Sequence, residues 1–230
     1  MKALFVNGSP RKNWTTHKML ESAMKGAAEA GAEVEIAHVY ESPFKGCVSC
    51  FACKLKNSKT NGLCAFKDAL TAVLEKALNS DVIVMGSPIY FSYPTAGIRA
   101  FLERLMFPVL SYNGKIDEKT GEMESGILTK KIPTAMIYTM GCPEKMMQDC
   151  HYPVFFGETS RFLEMLFGYT ETLCTYNSYQ FSDYSRYDVA EFVEPMRAKY
   201  RDEIFPNDLK KAYDLGVRLV EKAKAISKGE

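Results

Sequence analysis

Ala3-Leu4-Phe5-Val6-Asn7-Gly8-Ser9-Pro10-Arg11-Lys12-Asn13-Trp14-Thr15-Thr16 decides how this chain folds. Its first four residues form a continuous apolar run, the pattern of a strand buried on both faces. Asn7-Gly8 then signals a turn. From Thr16 to Ala30, Met19, Leu20, Ala23, Met24, Ala27 and Ala28 recur at helical spacing, and Gly31 supplies a stop. The stretch reads as strand, polar loop and helix. In an open parallel sheet such a loop lies beyond the carboxyl end of its strand, where ligands bind.

The alternation continues outward. Val34, Ile36 and Val39 predict a second strand, and Phe66 to Leu78 a helix. Val82-Ile83-Val84-Met85 predicts a third strand, closed by Gly86-Ser87-Pro88, and Thr95 to Met106 a helix. Ala135-Met136-Ile137-Tyr138 follows as a fourth strand, Phe155 to Leu166 as a helix stopped at Gly168, and Thr170 to Tyr176 as a fifth strand. Leu209 to Ile226 closes the pattern as an amphipathic helix. Such alternation predicts a parallel sheet with helices on both faces. Residues 107–131 and 181–206 delay the next element and read as insertions in a single domain over 1–230.

Composition sets the bounds. A chain of 230 residues, 47% hydrophobic and 25% charged, is an ordinary globular protein with room for a sizeable core. A net charge of +1 gives no general attraction to nucleic acid or anionic lipid. No apolar run approaches the roughly 20 residues of a membrane helix, and the N-terminus lacks a signal-peptide layout. The expected address is cytoplasmic. Seven cysteines do not suit a disulfide framework, and four of them lie between Cys47 and Cys64. That density points to metal binding or thiol chemistry.

The loop after the first strand suits a phosphate. Ser9, Thr15 and Thr16 offer hydroxyls, the helix start offers backbone N–H groups, and Arg11 offers a charged fork. No Gly-Lys-Ser/Thr closes it, so it is not a Walker loop, and it lacks the later glycines of the dinucleotide fingerprint. The same residues also read as a plain turn with Thr15 or Thr16 as N-cap. Cys47, Cys50 and Cys53, spaced C-x2-C-x2-C, can converge on an iron–sulfur cubane, with Cys64 as fourth ligand after ten intervening residues. Lys54, Lys56 and Lys59 would favour its negative charge. A redox pair such as Cys50 and Cys53, or unligated thiols, are the other readings; zinc suits the triplet less well. Cys142, Cys150 and Cys174 are scattered, and His17, His38 and His151 form no ligand set.

Three motifs in order resemble the NADPH-dependent FMN reductase family, of which the iron–sulfur flavoproteins are a branch. They are Gly8-Ser9-Pro10-Arg11 with Thr16 five residues on; Cys47-Val48-Ser49-Cys50-Phe51-Ala52-Cys53-Lys54 with Cys64 and Asp68; and Gly86-Ser87-Pro88-Ile89-Tyr90-Phe91-Ser92-Tyr93-Pro94 before the helix Ile98 to Leu105. The likeness covers Met1 to Met106 well and Lys131 to Thr170 loosely. It implies a flavodoxin-like α/β three-layer sandwich with a five-stranded parallel sheet, order 2-1-3-4-5. It implies that Ser9, Arg11, Thr15 and Thr16 hold the FMN phosphate. Pro88, Ile89, Tyr90, Phe91 and Ser92 would wrap the ring, with Thr139, Met140 and Gly141 as a third loop. Tyr90 and Phe91 suit a flat apolar ring, although aromatics at a strand end also serve as core. Cys47, Cys50, Cys53 and Cys64 would ligate a [4Fe–4S] cluster, but the iron–sulfur branch has a shorter gap before its fourth cysteine. Trp14 also departs from the pattern, where a small residue is usual.

The implied activity is that of an oxidoreductase passing electrons from NAD(P)H through FMN to a quinone, a nitro or azo compound, a flavin or a protein. A homodimer or homotetramer is implied, with no nucleic-acid or membrane partner. Tyr112, Tyr179, Tyr184 and Tyr187 then read as covers for the flavin or a partner subunit, or as structural aromatics of surface loops. Two other classes remain. One is a non-enzymatic electron carrier, as simple flavodoxins are; those look shorter and strongly acidic. The other is a flavin-free binding module.

Overall fold

The computed structural model describes residues 1–114 and 126–229, so the expected insertion at 107–131 falls partly outside the described residues. The strands are β1 (Lys2–Asn7), β2 (Glu33–His38), β3 (Val82–Tyr90), β4 (Tyr93–Pro94), β5 (Thr134–Thr139) and β6 (Thr170–Thr175). They form one sheet, ordered β2-β1-β3-β5-β6, with the short β4 turned back antiparallel on β3. The other pairings are parallel. Counted without β4, the parallel strands follow the expected order 2-1-3-4-5.

Alternate residues of the central strands feed opposite faces, as the pleat requires. Phe5, Val84 and Ile137 pack with Leu20, Ala23, Leu215 and Leu219. These belong to α1 (Thr15–Glu29) and the last helix, α7 (Phe205–Lys228). Leu4, Ile83 and Met136 pack with Leu74, Phe101 and Leu163 on the other face. There lie α2 (Leu70–Leu78), α3 (Ala96–Val109) and α5 (Tyr152–Phe167). A short α4 (Glu144–Asp149) precedes α5, and α6 (Val193–Glu203) precedes α7.

The helix expected from Phe66 starts only at Leu70. Asp68 is engaged ahead of it, accepting the N–H groups of Leu70 at 3.0 Å and Lys45 at 3.0 Å. The stretch expected as an insertion at 181–206 holds a 3-10 turn at Tyr184–Arg186 and all of α6. Among the described residues no helix is long and apolar enough to cross a membrane.

Helices α1 and α7 touch backbone to backbone. A Cβ on Gly26 would stand 2.0 Å from the carbonyl oxygen of Tyr213, and one on Gly216 would stand 2.0 Å from that of Ala23. The opposite face is held by buried charge. Arg104 of α3 is 1% exposed. It donates to Asp68 at 2.6 Å and to the carbonyls of Lys45 at 2.9 Å and Phe66 at 2.6 Å. Lys54 donates to the carbonyls of Phe107 and Leu110. The irregular chain between β2 and α2 is thereby pinned to α3.

Candidate functional site

The carboxyl ends of β1, β3 and β5 open on one shallow cleft, with about 580 Å³ of free space when its open mouth is included. The first loop brings Ser9, Arg11, Thr15 and Thr16; the second Pro88, Ile89 and Tyr90; the third Thr139, Met140 and Gly141. Phe91 and Ser92 do not line it. They form the two-residue turn between β3 and β4, with φ of +49° and +73°. Positive φ at both positions is the twist-matched hairpin turn, and without glycine it carries strain. Phe91 is 98% exposed at its tip.

Two helices start beside this cleft, and they differ. Thr95 caps α3: its hydroxyl accepts the N–H of Ile98 at 3.4 Å and donates to the carbonyl of Gly8 at 2.6 Å. The start of α1 has Trp14 at the cap position and no side-chain cap. The reading of Thr15 or Thr16 as an N-cap therefore fails. Thr16 is buried instead, its hydroxyl 2.7 Å from that of Thr139, which joins the first loop to the third. The first turn of α1 has no side-chain partner for its N–H groups, an arrangement that suits an anion. Ser9 shapes the loop ahead of it: its hydroxyl accepts the N–H of Arg11 at 3.1 Å.

A fourth segment, which sequence reasoning assigned no site role beyond Tyr179, completes the wall. Ser178, Tyr179 and Gln180 follow β6 and line the cleft. Gln180 is their hub. Its carbonyl accepts Arg11 Nη1 at 2.6 Å, its side-chain oxygen accepts Arg197 of α6, and its N–H donates to the Tyr184 hydroxyl at 3.0 Å. Arg197 also donates to the carbonyl of Gly141 at 3.3 Å. Arg11 lies over the Trp14 ring, 3.4 Å from its centroid. Beneath the segment, buried Asp208 accepts the hydroxyls of Thr175 at 2.8 Å and Tyr200 at 2.7 Å. Burial, and then the Asp208 bond, push the Tyr200 phenol up to about 12, so it remains a donor. Edge position was the available signal for this segment, since a loop leaving an edge strand at its carboxyl end borders the crevice.

The donor set fits a phosphate ester joined to a flat, partly polar ring. Hydroxyls, an uncapped helix start and one guanidinium gather at one end, with an aromatic and a backbone-rich loop at the other, and among the described residues no carboxylate lines the space. The Ser178 hydroxyl oxygen, at the cleft wall, is buried with no partner among the described residues. Burial raises the Tyr90 phenol, which keeps that wall neutral.

The cysteines are arranged differently from the expectation. Cys47 and Cys50 are exposed, Cys53 is half-buried and Cys64 is buried. Among the described residues no three or more His, Cys, Asp or Glu side chains gather into a metal-binding group. Left-handed backbone at Ser49 and Phe51 turns the triplet, while Cys64 packs into the core beside α2 and α3. As placed, this donor set does not fit a cubane. Among the neighbouring thiols, burial raises Cys53 against the opposing charge of Lys54.

Known proteins place the chain. One relative is an iron–sulfur flavoprotein of Archaeoglobus fulgidus, 32% identical over 106 residues, 46% of each chain. The chain thus spans about half the length of the curated relatives it matches. Among solved structures, an NAD(P)H:quinone oxidoreductase from Methanothermobacter marburgensis aligns with a TM-score of 0.63 at 15% identity, over 95% of this chain and 96% of that one. An azoreductase from Bacillus anthracis aligns with a TM-score of 0.61 at 16% identity, over 95% and 99%. At those identities the likeness is one of fold. The model of NADPH-dependent FMN reductases matches residues 1–124, which is more than half of the chain and includes two of the three loops. By that match the chain belongs to the NADPH-dependent FMN reductase family.

Proposed function

We propose that this protein binds FMN in the cleft and passes electrons from NAD(P)H to a small-molecule or protein acceptor. The observation that carries the reading is the meeting of three strand-end loops on one cleft, lined by no carboxylate among the described residues, with hydroxyls and a guanidinium at one end. Ser9, Arg11, Thr15 and Thr16 hold the phosphate. Pro88, Ile89 and Tyr90 form one wall for the ring, and Thr139, Met140 and Gly141 the other. When bound, FMN supplies the hydride-accepting and electron-donating chemistry. The chain's own residues bind, orient and shield. Arg11 neutralises phosphate charge while anchored to Gln180. The Thr16–Thr139 pair fixes the spacing of two loops. Gln180, with Arg197, closes the side facing water.

Aromatic side chains of the groove between α3 and α5, among them Phe162 and Phe51, are exposed, which supports assembly as a homodimer or homotetramer. Quinones, nitro and azo compounds, flavins and redox proteins are the acceptor classes to compare.

The test begins with FMN titration. Trp14 is the sole tryptophan and lines the cleft, so its emission should be quenched as FMN binds. Steady-state NAD(P)H oxidation with each acceptor then follows. Turnover without added reductase supports an enzyme, whereas a bound flavin reduced only by a separate reductase identifies an electron carrier. A protein that leaves Trp14 emission unchanged with FMN in excess is neither.

A further inference from the structure

Asn7, the last residue of β1, is fully buried. Its side-chain oxygen accepts the backbone N–H of Ser9 at 2.9 Å. A backbone N–H can only donate, so this bond settles which end of the Asn7 amide is oxygen. The amide nitrogen then faces Nδ1 of His38, 3.2 Å away, at the paired position of β2. An amide nitrogen can only donate. His38 Nδ1 is therefore an acceptor, and the ring's one proton sits on Nε2.

We propose that His38 is a positioning residue for the phosphate loop: its neutral Nε2–H form holds Asn7, Asn7 holds Ser9, and protonation of His38 weakens FMN binding by releasing that chain. The proposal rests on the FMN reading above. Protonation places an N–H where the Asn7 NH2 already points, and two donors then meet in a part-buried space. Rotating the amide relieves that clash only by withdrawing the oxygen from Ser9. Either way the loop loses a bond that orders it before the phosphate arrives.

The surroundings of His38 are few. His17 of α1 stacks on it, with centroids 5.6 Å apart and planes 27° apart. Glu41, after β2, and Lys12, in the loop, face it and pair with each other at 2.6 Å. His17 Nδ1 is itself buried without a partner among the described residues. Burial lowers His38 most; Glu41 opposes this, while His17 and Lys12 add to it, and the result lies below the ordinary histidine value. A depressed histidine supports the loop fully above its ordinary value, near 6.5, and loses that support as pH falls through the lowered one. A bound phosphate dianion pulls the other way, since negative charge favours an imidazolium. His38 does not line the cleft, and Asn7 and Ser9 stand between. The hydrogen-bond polarity and the long-range attraction thus predict opposite shifts.

Long-range 1H–15N spectra of the imidazoles, taken from about pH 5 to 8 with and without FMN, read both. The expected result is the Nε2–H tautomer and a His38 titration moved to lower pH by FMN. An Nδ1–H tautomer, or a titration moved upward, overturns the proposal. In parallel, FMN affinity is measured for the native protein and for His38→Gln, whose side-chain oxygen accepts from Asn7 and does not titrate. Between about pH 7 and 5 the native protein should weaken on the order of tenfold more than the variant. Protonation of the FMN phosphate is common to both and cancels. Parallel curves overturn the proposal alone; failure of both proteins to bind FMN at about pH 7 overturns the cofactor reading with it. If the variant does not fold, the native spectra still decide.

Discussion

The two faces of the sheet are closed by opposite means. On one, α1 and α7 approach until only glycine fits at Gly26 and Gly216, and the contact is backbone on backbone. On the other, an irregular segment with four cysteines is held to α3 by buried Arg104 and by Lys54. The first face is specified by the absence of side chains and tolerates no addition. The second depends on charge, so it answers to pH and to loss of a partner. The first face carries the start of α1, where the proposed phosphate loop needs rigid support. The second carries the exposed aromatics and thiols, where contact with other molecules is expected.

The largest effect should come from Arg104→Met. Removing one partner of a buried pair leaves Asp68 and two carbonyls uncompensated, a loss of about 3–5 kcal/mol. A thermal melt reads the loss, and limited proteolysis should cut between residues 45 and 68 before elsewhere. Gly216→Ala should cost about 1–3 kcal/mol or more, because the new methyl meets a carbonyl rather than a movable side chain. Its melt should fall without any new cut in the cysteine segment. Equal cutting in both variants would show that the two faces are not separately held.

The pH response should be smaller and one-sided. Burial alone would raise the Asp68 carboxyl, but the Arg104 bond, the Lys45 and Leu70 N–H groups and the Arg104 charge bring it below the ordinary carboxylate value. Its contribution is therefore present above that value, about 3.9, and is lost as pH falls further. Amide exchange near Lys45 and Leu70 should quicken in that acid window while the α1–α7 contact stays protected. Uniform quickening breaks the comparison. Smallest of all, Thr16→Val should cost about 1 kcal/mol, from the lost bond to Thr139. It should weaken FMN binding in a fluorescence titration; unchanged affinity would remove the pair from the site.

The parallel sheet was legible because β1, β3 and β5 are apolar on both faces, a pattern few elements other than a central strand produce. Helix α7 was legible from its buried stripe, which includes Ala212, Leu215, Leu219 and Ala223. Helix α6 was not, because it buries no residue and so leaves no periodic trace. Most of the cleft could be read as loops after apolar strands. Gln180 and Arg197 could not, since their roles arise from where an edge strand ends. His38 belongs to no ligand set in the sequence, and its contact with Asn7 is visible only in the β1–β2 register. The cysteine spacing promised convergence, but spacing does not record the left-handed turns at Ser49 and Phe51.

The bond from Arg11 to the carbonyl of Gln180 joins positions 169 apart. During synthesis the phosphate loop emerges long before the residues that cover it, and joining ends so distant is a late and slow event. On the proposed FMN reading, the nascent chain until then presents the loop after β1 uncovered, open to any phosphate in solution. Selective retention of the proposed cofactor would then be acquired last, when β6 and the helices after it dock. Loading is tied to completion of the fold rather than to emergence of the motif that announces it.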